Sequence, residues 1–330
     1  MEVVEQSAGV ATGRSMRRVA LIENPASGSV SPLRRGVARK AAAALANAGI
    51  EVDHVVIDGP GSGSALASEA VARGCDTVLV LGGDGTVHEV LQALVGTDVA
   101  LGVLPLGTAN ALAANLGLAG SPDRAIRALL DAKPVQVPVG WIRYFTPDGV
   151  EECRYFTVAA GVGPDALLMA RMDPALKRRL GYVLYMIEAF RIWVRHPFPL
   201  FEVRVDDGKG GKGTVCVSQI LAVRIRSFGG VLGQLAPGAT LHSRELSLVA
   251  FRTRSRLSYL RFLLAVVAGR QTFSNGVELI TAKSVECDAA PDAKMPLYVE
   301  ADGEVLGQAP VRMEITNETL TLLVPPGAHP

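Results

Sequence analysis

The sequence predicts a two-part α/β protein: a doubly wound parallel sheet first, then an antiparallel, β-sandwich-like part. Three observations carry that prediction. Apolar strands alternate with helical stretches from Arg18 to about residue 132, the pattern of strand–helix–strand crossovers. After about Val139 the texture changes to short, turn-bounded, β-rich segments. Three early strands run straight into polar, glycine-containing turns, as strands of an open parallel sheet do at the edge where ligands bind.

Taken in order, the first strand is Val19-Ala20-Leu21-Ile22, and it leads into Asn24-Pro25-Ala26-Ser27-Gly28. Residues 34–48 are alanine-rich and helical, with Gly49 as C-cap before a strand over Glu51–Ile57. The loop from Asp58 to Ser64 is glycine-rich, but the third glycine of a dinucleotide fingerprint is missing. Ser64 reads as the cap of a helix over Ala65–Arg73. The central strand Val78-Leu79-Val80-Leu81 enters Gly82-Gly83-Asp84-Gly85-Thr86, and a helix continues through Val87-His88-Glu89 to Leu94. A third strand, Ala100–Leu104, enters Pro105-Leu106-Gly107-Thr108-Ala109-Asn110, and two helical stretches follow over 109–117 and 122–132.

The central turn is the most informative stretch. Its glycines let another group come close, because no Cβ stands in the way. The helix start behind them offers unpaired N–H groups and a positive dipole end, which suits a phosphate. Asp84 is odd there. A carboxylate repels phosphate unless a cation or a proton-acceptor role explains it; the bland alternative is a turn aspartate bonding its own backbone.

In the second part, strands are expected over Tyr155–Ala160, Phe201–Val205, Val215–Val223, Leu246–Phe251 and Val277–Thr281. Asp206 to Gly213 lacks the G-K-[ST] ending of a Walker loop and reads as a solvated hairpin tip. Residues 176–196 read as a helix in which Lys177, Arg178, Arg179, Arg191 and Arg195 flank Tyr182, Tyr185, Phe190 and Trp193. Such a helix either packs on a core with a solvated basic edge or lies on an anionic membrane. The shorter stretch 256–270 has the same two readings.

Composition bounds the rest. The chain has 330 residues, 49% hydrophobic and 20% charged, a length that suits about two domains. A net charge of +1 gives no general pull toward nucleic acid. Cys75, Cys153, Cys216 and Cys287 are widely spaced, with no C-x-x-C and no paired histidines, so neither a zinc site nor a disulfide framework is expected. Met1 to about residue 17 reads as a ragged end rather than a signal. No run reaches the ~18 apolar residues of a membrane span, so a cytoplasmic protein is expected, with peripheral contact to the inner face of a membrane left open.

N-P-x-S-G, G-G-D-G-T and P-L-G-T-A-N, in this order and spacing, resemble the diacylglycerol kinase catalytic domain family, which includes bacterial soluble lipid kinases and sphingosine and ceramide kinases. Gly161-Val162-Gly163-Pro164-Asp165, Leu180-Gly181-Tyr182 and Ala301-Asp302-Gly303-Glu304 extend the resemblance from Arg18 to about Pro325. NAD kinases and phosphofructokinases share the G-G-D-G-T turn, so a NAD kinase-like phosphotransferase or a non-catalytic nucleotide or lipid sensor remains an alternative. The resemblance implies a nucleotide-binding domain over 18–139, a lipid-substrate domain over 140–311, a C-terminal segment 312–330 returning to the first, and a site in the cleft between them. It implies an ATP- and Mg²⁺-dependent kinase with a lipid substrate at the membrane surface, no nucleic acid partner, and a homodimer left open. It assigns the nucleotide to Asn24, Pro25, Ser27, Asp58, Gly82, Gly83, Asp84, Gly85, Thr86, Val87, His88 and Thr108. Asp84 would stand near the Mg²⁺, and Glu304 would be the proton acceptor, with Asp302 the next candidate; alone, Glu304 is only a charge beside a D-G turn. His88 and Ala111 stand where many relatives carry Asn and Asp. An L-x-x-D-G-L stretch that holds a structural Mg²⁺ in many bacterial relatives matches Leu241-His242-Ser243-Arg244-Glu245-Leu246 in this chain. Arg244 replaces the aspartate, so that metal site is expected to be lost, with the Arg244 guanidinium partly standing in.

Overall fold

The computed structural model describes residues 16–27, 36–172, 182–208, 210–228, 233–270, 276–288 and 296–328. Gly28, the first residues of the expected helix 34–48, and Lys177 to Gly181 lie outside them. The fold is mixed α/β, a parallel sheet followed by a β-rich part, as the pattern predicts.

In the first part β1 (Arg18–Glu23), α1 (Val37–Asn47), β2 (Glu51–Val56), α2 (Ser62–Ala72), β3 (Thr77–Gly82), α3 (Asp84–Leu94), β4 (Ala100–Pro105), α4 (Ala111–Asn115) and α5 (Pro122–Leu130) follow one another. The strands pair in parallel in the spatial order β2-β1-β3-β4. β3 and β4 are buried at every position, which is why they read as unbroken apolar runs. Helices α1 and α5 pack together, as do α2 and α3. Leu21, Leu79, Leu91 and Leu101 centre this core.

Gly49 closes α1 with φ of 78°, as expected of a C-cap glycine. Helix α2 begins earlier than its sequence suggests. Ser64 lies inside it, and the cap comes from α3: Glu89 accepts from the N–H groups of Gly61 and Gly63 at 3.1 and 3.2 Å. A longer-range carboxylate does what a local serine was expected to do, and it also complements the positive end of α2.

The second part contains β5 (Lys133–Phe145), β6 (Glu151–Phe156), β7 (Ala159–Val162), α6 (Pro164–Arg171), α7 (Tyr182–Arg195), β8 (Phe201–Asp206), β9 (Lys212–Val217), β10 (Gln219–Val223), β11 (Leu246–Phe251), α8 (Arg256–Val267), β12 (Val277–Ala282), β13 (Ser284–Cys287), β14 (Tyr298–Ala301) and β15 (Glu304–Val324). The ladder β12-β11-β10-β7-β14-β15 is antiparallel throughout. β8 and β9 form the expected hairpin and join β15 through β13. Phe156, Val203, Leu248 and Met313 belong to a second core cluster. Two expected strands are broken: Tyr155–Ala160 at Thr157–Val158 and Val215–Val223 at Ser218.

The two parts are joined by strands rather than by a linker. β15 runs antiparallel to β5 from Gln308–Phe145 to Val324–Lys133, with an irregularity between Ile315 and Thr319. Before that irregularity β15 pairs with β13; after it, Thr321 and Leu322 pair in parallel with Ala100 and Leu101 of β4. The return to the first sheet therefore comes later along the chain than residue 312.

Candidate active site

The three strand-end turns meet. Asn24 follows β1, and its Nδ2 donates to Thr86 Oγ1 at 2.8 Å in the first turn of α3. Ser27 Oγ accepts from the Gly83 N–H and lies 3.3 Å from Thr86 Oγ1. The turn after β3 and the turn after β4 touch backbone to backbone: a Cβ on Gly107 would stand 2.7 Å from Gly83 Cα. Asn110, in the left-handed region at φ 49°, ties that second turn through its side chain, which accepts from Gly107 N–H and donates to Gly107 O. Asp84 Oδ1 accepts from the Ala111 N–H at 2.7 Å, so the Asp84 carboxylate caps α4. Ala111 contributes a backbone donor where a carboxylate was the expected type.

The second part delivers its own carboxylates to this turn. Glu304 starts β15 and is exposed, and its Oε1 lies against Gly85 so closely that any Cβ there would overlap it. A side chain at position 85 would have to displace the Glu304 carboxylate from the turn. Asp302, two residues earlier, is 6% exposed and held in the left-handed region at φ 50°. Its oxygens accept from the N–H groups of Thr157, Val158 and Ala159 at 2.7 to 3.2 Å, and from Thr157 Oγ1. These bonds coincide with the break between β6 and β7. Of the two carboxylates in Asp302-Gly303-Glu304, one is consumed by the backbone and the other is presented at the glycine turn.

Helix α3 is the element that both parts share. His88 Nδ1 lies 3.4 Å from Asp302 Oδ2, and Gln92 exchanges hydrogen bonds with both backbone groups of Tyr155 at 2.9 Å. Beneath the turn, Glu300 Oε2 accepts from the Gly303 N–H. Glu300 is buried, and so are both carboxyl oxygens of Asp165. Burial pushes the Asp165 carboxyl up to about 7, against the pull of the Ala166 N–H. Glu300 is pushed well above the usual carboxylate range, by burial first and then by the Asp165 charge.

Two family models match the chain: "Diacylglycerol kinase catalytic domain" over residues 18–142, and "YegS C-terminal NAD kinase beta sandwich-like domain" over residues 157–324. The chain belongs to the diacylglycerol kinase family. It is 28% identical over 326 residues to a protein of Mycobacterium tuberculosis named diacylglycerol kinase, covering 97% of this chain and 99% of that one. It is 30% identical over 273 residues to a Chromohalobacter salexigens protein named "Probable lipid kinase YegS-like", covering 81% and 82%. A crystal structure of a diacylglycerol kinase from Bacillus anthracis shares the fold, with a TM-score of 0.67 at 18% identity over 96% of this chain and 99% of that one.

Within this family member the expected residues do not all converge. Asn24, Ser27, Gly82, Gly83, Asp84, Gly85, Thr86 and Glu304 form one cluster. Pro25 shapes the first turn. Val87 is in the core, 4% exposed, so its side chain cannot touch a ligand at the turn. His88 is likewise buried, turned toward Asp302. Asp58 and Thr108 are exposed on neighbouring loops, and among the described residues no side-chain hydrogen bond ties them to the cluster.

The expectation for Arg244 is corrected. Its side chain is exposed. The cation at the Leu241 carbonyl is Arg224, buried just past β10. Its guanidinium donates to Leu241 O at 3.1 Å and Pro138 O at 2.7 Å. Burial pulls its pKa down to about 10, opposed by the charge of Asp302. A single arginine in the apolar run Ile220 to Ile225 was the visible signal for it in the sequence.

The oxygen chemistry of the cluster fits Mg²⁺ carried with a nucleotide. Carboxylates are the hard ligands that ion takes, and Asp84 stands at a glycine turn where a Cβ on Gly82 would lie 2.8 Å from Thr86 Cβ. Among the described residues no cluster of three or more metal-ligating side chains exists.

Proposed function

We propose that the protein is an ATP-dependent lipid kinase that transfers the γ-phosphoryl group of ATP to the hydroxyl of a lipid such as diacylglycerol or a long-chain sphingoid base. The observation that carries this reading is Glu304 lying against Gly85, a carboxylate from one half of the chain on the glycine turn of the other. The hydroxyl oxygen of the lipid attacks the γ-phosphorus, the bond from that phosphorus to the bridging oxygen breaks, and ADP leaves. The hydroxyl proton passes to the Glu304 carboxylate. Asp84 would hold Mg²⁺, which when bound would neutralise charge on the phosphate oxygens. The first turn of α3 and the Asn24–Ser27–Thr86 network orient the phosphates.

Purified protein incubated with γ-labelled ATP, Mg²⁺, a panel of diacylglycerols and sphingoid bases, and NAD tests the reading. Label is expected in a lipid. Label in NAD alone would make the protein a NAD kinase-like phosphotransferase. Nucleotide binding with no labelled product from folded protein would make it a sensor.

A further inference from the structure

Most large apolar side chains of this protein are buried, but two helices turn theirs outward. On α7, Val183, Met186, Ile187, Phe190 and Val194 are all exposed, Phe190 at 63%. At about 100° per residue they fall within one stripe roughly 100° wide. The other side of α7 packs Tyr185, Ala189 and Ile192 onto Leu167 and Leu168 of α6. The helix is thus anchored by one apolar side and offers a second to solvent. On α8, Ser258, Phe262 and Val266 are buried, and Leu257, Leu263, Leu264 and Val267 are exposed. The two helices are tied end to end, Trp193 Nε1 donating to Arg256 O at 2.9 Å and Arg256 to His196 O at 3.2 Å.

The charge around these stripes is mainly positive, although Arg252 pairs with Glu278 of β12. Residues 252–270 contain five arginines and no carboxylate. On α7 the one carboxylate, Glu188, is paired with Arg191, and helical spacing sets Arg191 and Arg195 along one border of the stripe. Exposed apolar area on this scale is unusual for a surface that meets only water. Apolar side chains bordered mainly by arginines match an anionic bilayer, which offers an acyl boundary and lipid phosphates together. The face also connects to the site. Helix α6, which carries α7, packs on β14, the strand that leads into Asp302-Gly303-Glu304.

We propose that α7 and α8 form a docking face for an anionic phospholipid surface, the apolar side chains entering the headgroup–acyl boundary and the arginines meeting lipid phosphates. It rests on the lipid-kinase reading for its purpose, because a kinase of bilayer lipids must meet its substrate there, but not for the binding itself.

Co-sedimentation of the full chain with vesicles tests it. The protein is expected to bind mixed phosphatidylglycerol–phosphatidylcholine vesicles, to bind pure phosphatidylcholine more weakly, and to be released by salt. The double variant Phe190→Asp/Leu264→Asp, which changes only exposed positions, should bind about tenfold less or worse while melting at the wild-type temperature. Arg195→Glu/Arg261→Glu should remove the preference for the anionic vesicles. Turnover on a dispersed short-chain diacylglycerol should stay near wild type in the aspartate variant, while turnover on vesicle-embedded substrate falls. Equal binding by wild type and both variants would overturn the proposal. So would a wild-type dimer in solution that Phe190→Asp/Leu264→Asp splits into monomers, since the face would then be a contact between copies. Vesicle binding through these residues without any lipid phosphorylation would sink the kinase reading and leave this face standing; lipid phosphorylation with vesicle binding indifferent to them would do the reverse.

Discussion

At the scale of single residues, the site turns on two carboxylates in one turn with opposite duties. Asp302 accepts from three consecutive backbone N–H groups, and Glu304 is presented at Gly85. Asp302→Asn keeps the volume, replaces an acceptor oxygen with a donor, and leaves buried N–H groups badly paired. A loss of about 1–3 kcal/mol of stability is expected, read as a lower melting temperature. An unchanged melting temperature would show that the turn does not depend on that carboxylate. Neither duty was legible in the residue type alone. Asp302 and Glu304 look interchangeable in sequence, and what separates them is the left-handed backbone at Asp302 and the break between β6 and β7.

At the scale of elements, the strands and turns that build the site were legible because their signals are local. Unbroken apolar runs marked β1, β3 and β4, and the glycines and asparagines that end them marked the turns. What failed to show were the features that depend on a distant partner. Ser64 has the chemistry of a cap, yet Glu89 supplies the cap of α2 because α3 packs beside it. Likewise the continuity of β15 rests on a distant partner, because β5 pairs with it on both sides of the irregularity between Ile315 and Thr319. Glu89→Ala should destabilise the protein by about 1 kcal/mol, as removal of a helix cap does, with the first turn of α2 losing amide protection in hydrogen exchange. Protection unchanged in that turn would contradict the assignment of the cap.

At the scale of the whole molecule, the first sheet supplies a glycine turn and the second part supplies the carboxylate that meets it, with α3 and the β5–β15 pair holding the two in register. The buried pair Asp165 and Glu300 beneath that junction gives stability a pH dependence. Both carboxyls hold protons more tightly in the folded chain than in the unfolded one. The folded state therefore binds more protons between the ordinary carboxylate pKa of 3.8 and about 7, and stability falls as pH rises through that window. Asp165→Asn should flatten the fall and raise stability above neutral pH by a few kcal/mol at most; equal slopes for the two proteins would contradict this. The most direct measurement of the site itself is the rate of phosphoryl transfer to a lipid by wild type and Glu304→Gln, with nucleotide affinity determined on the same samples. Loss of the proton acceptor should slow transfer by ~10²–10⁴-fold while nucleotide affinity and melting temperature stay near wild type. Near-normal transfer by Glu304→Gln would contradict the role of the carboxylate at Gly85 as the proton acceptor.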